Sequence, residues 1–236
     1  MNVFNNRNII APSQKELWRG YVCFVAYLLV IPTVLSLCVP YFSESGSRAG
    51  FLFHLTSSVC NFLLVMILFR NFLFRSRIPF GLLLITCLFG FLGYRGLSAM
   101  WSLILVLAES LLPTEASNLN QNTVVDYLNH YSGYMLINVV VLAPVVEEVL
   151  FRGVIFAPLC KKNPLLAYVV SGGAFAMIHV LSYIGQQPGS VLLFSAAQYL
   201  PAAFVLCWSY QRTRSILAPI VLHGLMNLYS SILTMY

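Results

Sequence analysis

The 236-residue chain is 59% hydrophobic and only 8% charged, and its 13 Lys and Arg against 7 Asp and Glu leave a formal net charge of +6. Mean hydropathy is +0.83. An ordinary soluble domain carries about 25% charged residues, so these few charges cannot cover a soluble surface. The positive balance is therefore a guide to topology rather than a nucleic-acid signal, and the chain reads as an all-α, polytopic transmembrane bundle.

Residues 1–17 are mostly polar, include Arg7 and Lys15, and read as a cytoplasmic lead without a cleavable-signal pattern. Trp18 and Arg19 open a first span that runs to about Tyr41, with a kink predicted at Pro32. Ser43 to Gly50 makes a short loop, Phe51 to Phe69 the second span, and Arg70, Arg75 and Arg77 a basic turn. Residues 79–112 are too short for two crossings and too long for one straight one. They predict one long tilted or broken helix, with Arg95 snorkelling at its middle. The stretch 113–132 is polar, contains Glu115 and Asp126 but no Lys or Arg, and reads as the longest, extracytoplasmic loop. The fourth span, Tyr134 to Cys160, ends at Lys161, Lys162 and Pro164. Leu165 to Ile184, Val191 to Tyr210 and Ile216 onward follow, separated by a Gly185–Gly189 turn and by Arg212 and Arg214.

With the N-terminus cytoplasmic, ten Lys and Arg fall on one side of the bilayer and Arg48 alone on the other, as the positive-inside rule requires. Seven spans result: residues 18–132 form an N-terminal transmembrane region, and 133–236 form a four-helix core. The six cysteines lie scattered among apolar neighbours without a CxxC pair and read as small buried hydrophobes.

The chemistry-bearing residues lie in that core. Glu147, Glu148 and Arg152 place three charges within an apolar run, each costing at least ~2.5–3.5 kcal/mol at membrane depth. Glu148 precedes Arg152 by four residues, the favourable order for a helix ion pair, which leaves Glu147 as the working acid. Pro144 predicts a bend beside it and a freed backbone carbonyl near the site. Phe175 and His179 share one helix face in the fifth span, so the ring can wall and orient the imidazole. His223 and Asn227 repeat the spacing in the seventh.

Counted from the nearest basic turns, Glu147, His179 and His223 lie roughly 14–26 Å deep at 1.5 Å per residue, so they can meet around one cavity, expected to open to the cytoplasm or sideways to its leaflet. A carboxylate and an imidazole in a dry pocket suit hydrolysis. A second His with an amide suits an oxyanion. Glu147, His179 and His223 are equally a plausible zinc set with one position open for water, so a metal-assisted and a metal-independent glutamate mechanism both stand. No HExxH or GxSxG sequence is present.

The order Glu147-Glu148-x-x-x-Arg152, Phe175-x-x-x-His179, His223-x-x-x-Asn227, with Pro144, Phe151-Arg152-Gly153 and Thr213–Pro219 as flanks, resembles the CAAX-protease and bacteriocin-processing (CPBP, or Abi) family of intramembrane proteases. The resemblance covers about residues 134–231, and the family is usually drawn with eight spans. It implies that Glu147 and His179 activate water, that His223 and Asn227 stabilise an oxyanion, and that Glu148 and Arg152 hold the helix in place. It further implies a multi-pass protein of a bacterial plasma membrane, acting as an endopeptidase on a membrane-associated peptide or protein, without nucleic acid. The competing readings are a non-catalytic bacteriocin-immunity or scaffold protein and a proton-coupled transporter. The transporter reading is weakened by the absence of an inverted repeat.

Overall fold

The computed structural model describes residues 9–38, 46–111 and 118–235. Arg7, the loop's Ser43 and Glu115 lie outside those residues. The first helix, α1, runs through Gln14–Val25, Ala26–Val30 and Ile31–Cys38, and α2 is Gly46–Leu68. A short α3, Arg70–Arg75, turns the chain into α4, Phe80–Leu111. The fifth run, α5, takes in Leu119–Ile137, Asn138–Leu142, Ala143–Glu147, Glu148–Phe156 and Ala157–Cys160. Then come α6, Pro164–Ile178; α7, Gly189–Ala197; α8, Leu200–Thr213; and α9, Leu217–Met235.

This is a helical membrane bundle. Among the described residues, four helical runs are long and apolar enough to cross a bilayer: Gln14–Leu37, Gly50–Leu68, Phe80–Ser110 and Gly189–Thr213. Pro164–Ile178 and Leu217–Leu233 are shorter apolar helices, and the charge-bearing α5 is the remaining run. Residues 80–111 form one continuous helix, as expected, whose Leu84, Leu88, Phe89, Leu92, Leu103 and Leu107 face outward. Arg95 lies over the ring of Tyr229 at 4.9 Å.

Several boundaries differ from the sequence reading: the second span is helical already from Gly46, and the fifth, expected to reach Ile184, ends as an α-helix at Ile178. The polar stretch placed in a loop is helical from Leu119, because Asn118 caps it by accepting the Gln121 N–H at 3.0 Å. This first segment meets the rest of α5 at a kink at Tyr131, where φ is −139° and ψ 41°. The sixth span is broken at Gln198–Tyr199, between α7 and α8.

Three wide-turn stretches carry a common cause. Ala26–Val30, Asn138–Leu142 and Glu148–Phe156 bond i→i+5, and each ends just short of a proline: Pro32, Pro144 and Pro158. Proline has no N–H and its ring crowds the carbonyl four residues back. A single wider turn before it relieves that crowding. In the second stretch the Ala143 N–H reaches Asn138 O, so continuing that pattern would bond Pro144 to Val139 O. Pro144 has nothing to donate. The Asn227 side chain supplies the missing donor, its Nδ2 giving to Val139 O at 2.7 Å.

Close approach makes that bond reachable. A Cβ built on Gly224 would stand 2.5 Å from the Val140 carbonyl oxygen. Because the obstacle is backbone, no rotamer relieves it. Gly224→Ala is therefore expected to destabilise by about 1–3 kcal/mol and to lower the thermal unfolding midpoint in detergent. An unchanged midpoint would remove the tight α5–α9 contact.

The middle of α5 is enclosed on all sides, with Val149, Leu150, Phe156 and Ala157 fully buried. It packs against α1, α6, α8 and α9, the environment of a helix apolar all round. The end of the bundle that carries the basic turns is sealed. Ser13 and Glu16 form a capping box on α1, and Glu16 also accepts the Phe72 N–H at 2.9 Å and pairs with Arg75 at 2.8 Å. Ile10 donates its N–H to Arg214 O, Tyr210 donates its hydroxyl to Ile10 O, and Ser215 donates to Ser76 O. From Ile9 onward the N-terminal lead is thus a stopper packed between α3 and the end of α8.

Candidate active site

The sequence-predicted residues converge at the centre of α5. Its wide turn over Glu148–Phe156 brings residues four apart nearly into line, and Arg152 Nη1 donates to Glu148 Oε1 at 2.8 Å with both side chains wholly buried. Arg152 also donates to Ala203 O at 3.3 Å and lies over the Phe175 ring at 4.2 Å. The expected ion pair is present.

Glu148 does more than hold the helix. Its Oε1 also accepts from His223 Nδ1 at 2.8 Å. A carboxylate behind Nδ1 fixes the ring's orientation and leaves Nε2 as the working nitrogen. That Nε2 lies 3.9 Å from Glu147 Oε2, too far for a direct hydrogen bond and suited to a group held between them. Glu147 Oε2 is buried and has no hydrogen-bonding partner in the protein.

His179 terminates α6 and gives its Nδ1–H to Phe175 O at 2.7 Å, so its Nε2 is likewise the free nitrogen. Phe175 stands between the two imidazoles, its ring centroid 4.8 Å from His179 and 5.6 Å from His223. The ring predicted to wall one histidine therefore walls both and carries the Arg152 guanidinium as well. Asn227 lines the same space with one amide N–H committed to Val139 O.

Glu147, Phe175, His179, His223 and Asn227 border a cavity of about 940 Å³, within the size range of sites for small ligands, with Glu148 and Arg152 buried behind them. Its walls reach Asn118, Gln121 and Thr123 at the start of α5, Leu181 and Ser182 after α6, and Ser230 on α9. Those residues lie at the end of the bundle opposite the basic turns. The described lining of the cavity runs from the site toward that end rather than toward the basic loops. The packed Ile9–Glu16 segment fills the other end, which spacing within single helices does not reveal.

The donor chemistry of the two histidines suits zinc, since each is hydrogen-bonded from behind at Nδ1 as zinc-binding histidines are. Yet among the described residues no three His, Cys, Asp or Glu side chains converge to hold a metal ion. Glu147, His179 and His223 border one cavity without forming a ligand set, and the chemistry derived from them uses no metal.

The sequence reading missed two participants. Glu148 was assigned only to Arg152, because its partner His223 is 75 residues away. Tyr199, whose ring stacks on His179 at 3.9 Å and 20°, belongs to no spacing pattern. The only local signal was Pro201 two residues later, marking a helix break.

Residues 129–229 match the family model described as Type II CAAX prenyl endopeptidase Rce1-like. Over that stretch, which is less than half of its length, the chain is similar to this endopeptidase family. It is also similar to proteins of Lactococcus lactis. A UPF0177 protein in the abiGi 5′ region of subspecies cremoris is 34% identical over 91 residues, which are 39% of this chain and 34% of that protein. The UPF0177 protein YbdI of subspecies lactis strain IL1403 is 29% identical over 120 residues, 51% and 57% of the two lengths. In YxdF of the same strain the figures are 22% over 126 residues, 53% and 63%. The chain thus spans less than two thirds of each of these relatives. No solved structure matches it significantly.

Proposed function

We propose that the chain is an intramembrane endopeptidase that hydrolyses a peptide bond in a membrane-associated peptide or protein, within a bacterial plasma membrane. The observation that carries the proposal is the unpartnered Glu147 carboxylate facing His223 across 3.9 Å in a bilayer-spanning bundle, with His223 held from behind by Glu148. Water held at Glu147 Oε2 loses a proton to that carboxylate as its oxygen attacks the substrate carbonyl. His179 Nε2 accepts the water's second hydrogen and sets its direction. Protonated His223 donates Nδ1–H to Glu148 and Nε2–H to the developing oxyanion, and the free N–H of Asn227 is the second donor. The proton on Glu147 then passes to the amide nitrogen as the C–N bond breaks, releasing an acid and an amine. A general base contributes ~10²–10⁴-fold, and one oxyanion donor ~10²–10³-fold. Incubating the purified protein with peptides in vesicles and mapping fragments by mass spectrometry tests the reading. A set of membrane peptides left uncut by folded protein would count against it.

Substrate reaches this site from the end opposite the basic turns. If the basic turns are cytoplasmic, that end is extracytoplasmic, and the N-terminus is inside. In a variant whose six native cysteines are replaced, Ser182→Cys and Gln198→Cys should react with a charged maleimide from one side of oriented vesicles, and Lys162→Cys from the other. Labelling of Gln198→Cys from the Lys162 side would overturn this route.

A further inference from the structure

Tyr199 is placed with more care than a packing aromatic needs. Pro201 cannot donate to Ala197 O, the carbonyl four residues before it. Trp101 of α4 fills that vacancy, its indole N–H giving to Ala197 O at 2.8 Å. The break between α7 and α8 is therefore pinned from outside, and Tyr199 sits at it as the residue capping α8. Its ring lies face to face with His179, at 3.9 Å and 20°. Its hydroxyl donates to Asn118 Oδ1 at 2.8 Å and accepts from Asn120 Nδ2 at 3.3 Å. Asn118 is the cap of α5. Tyr183, from the same 181–199 segment, donates to Leu119 O at 3.1 Å and shares a hydrogen bond with Thr123 at 2.7 Å. Both tyrosines thus grip the first turn of α5, which borders the cavity mouth and is set off from the rest of its helix by the kink at Tyr131.

We propose that Tyr199 is a positioning residue for the reaction: its ring fixes the plane of His179, and its hydroxyl ties that imidazole to the α5 turn at the cavity mouth. The imidazole has one hydrogen bond from the protein, at Nδ1 to Phe175 O. A single bond leaves the ring free to pivot about it. Edge contact with Phe175 on one side and the flat Tyr199 face on the other remove that pivot. Nε2 is thereby aimed at one point in the cavity rather than swept over an arc, and misplacement by ~1 Å can cost ~10²-fold in rate. The hydroxyl makes the first turn of α5 sense the same ring. Loosening that turn should alter how substrate is admitted and held more than how fast bound substrate reacts.

The inference rests on the endopeptidase reading, and two variants separate its parts. The substrate is a fluorogenic peptide with an apolar membrane-spanning segment, quenched across its central bond and reconstituted in vesicles with the full chain. Tyr199→Leu removes both the stack and the tie, so it should lower kcat by about tenfold to a hundredfold and move KM as Tyr199→Phe does, at matched amounts of folded protein. Tyr199→Phe keeps the stack and should restore kcat to within about twofold while KM moves by more than kcat does, because the tie to Asn118 and Asn120 is lost. In protein labelled with ¹³C-histidine, the His179 ring signals should show an upfield ring-current shift in wild type and Tyr199→Phe that vanishes in Tyr199→Leu. That spectrum does not depend on activity. Tyr199→Leu turning over at the wild-type kcat, or Tyr199→Phe failing to rescue it, overturns the positioning role alone. Wild-type protein that shows the shift but cleaves no peptide overturns the endopeptidase reading, and this role with it.

Discussion

Glu147→Gln is expected to abolish peptide hydrolysis while leaving the folded protein in the membrane. The substitution keeps the volume and most hydrogen-bonding capacity of the side chain, so packing around Val146 and the cavity wall is undisturbed. It removes the one group able to take a proton from water beside His223 Nε2. Glu148 cannot stand in, since it is held by Arg152 and His223, is wholly buried and does not line the cavity. The loss should be at least the ~10²–10⁴-fold of a general base, read as the cleavage rate of a vesicle-reconstituted peptide at matched amounts of folded protein. Because Glu147 makes no direct hydrogen bond within the protein, thermal unfolding should move little. A Glu147→Gln variant cutting within a few-fold of wild type would take Glu147 out of the mechanism. Full loss of the folded protein would instead make its role architectural.

The second large effect is at Arg152, and it is of another kind. Arg152→Ala should reduce both the folded protein and the activity of what remains. The side chain is completely buried, pairs with Glu148 at 2.8 Å, donates to Ala203 O and covers the Phe175 ring. Its removal strands the Glu148 carboxylate in the core with His223 as its only partner, and breaking a buried pair by deleting one member costs ~3–5 kcal/mol. Phe175 also loses the group packed on its face, and with it the wall shared by both histidines. Arg152→Lys should rescue only in part, because an ammonium lacks the planar fork that reaches Glu148 and Ala203 together. The measurements are membrane yield, the thermal unfolding midpoint and turnover per folded molecule. Wild-type stability in Arg152→Ala would mean the buried pair contributes nothing to the fold, and a fully active variant would detach it from His223 as well.

The contrast between the two residues shows what each level of organisation settled. Charge scarcity and apolar runs were enough for a helical membrane bundle, because a backbone in hydrocarbon must satisfy its own N–H and C=O groups. The Glu148–Arg152 pair and the Phe175–His179 arrangement are local, four residues apart on one helix, so helical spacing foretold them. The freed carbonyl that Asn227 satisfies followed from Pro144. The helical start of α5 was missed, because its polar Asn118–Thr123 turn is stabilised by Tyr183 and Tyr199 rather than by an apolar face of its own.

By itself, then, the sequence determined that the chain is a helical membrane bundle and which side chains would pair along one helix, since both depend on composition, rise per residue and local chain geometry. Only the tertiary structure decided that Glu148 serves His223, that Tyr199 stacks on His179 and that the cavity faces away from the basic turns. Those three outcomes depend on how helices cross and on which end the Ile9–Glu16 segment fills. They rest on contacts between residues 20 to 200 positions apart, which no periodicity within a single helix encodes.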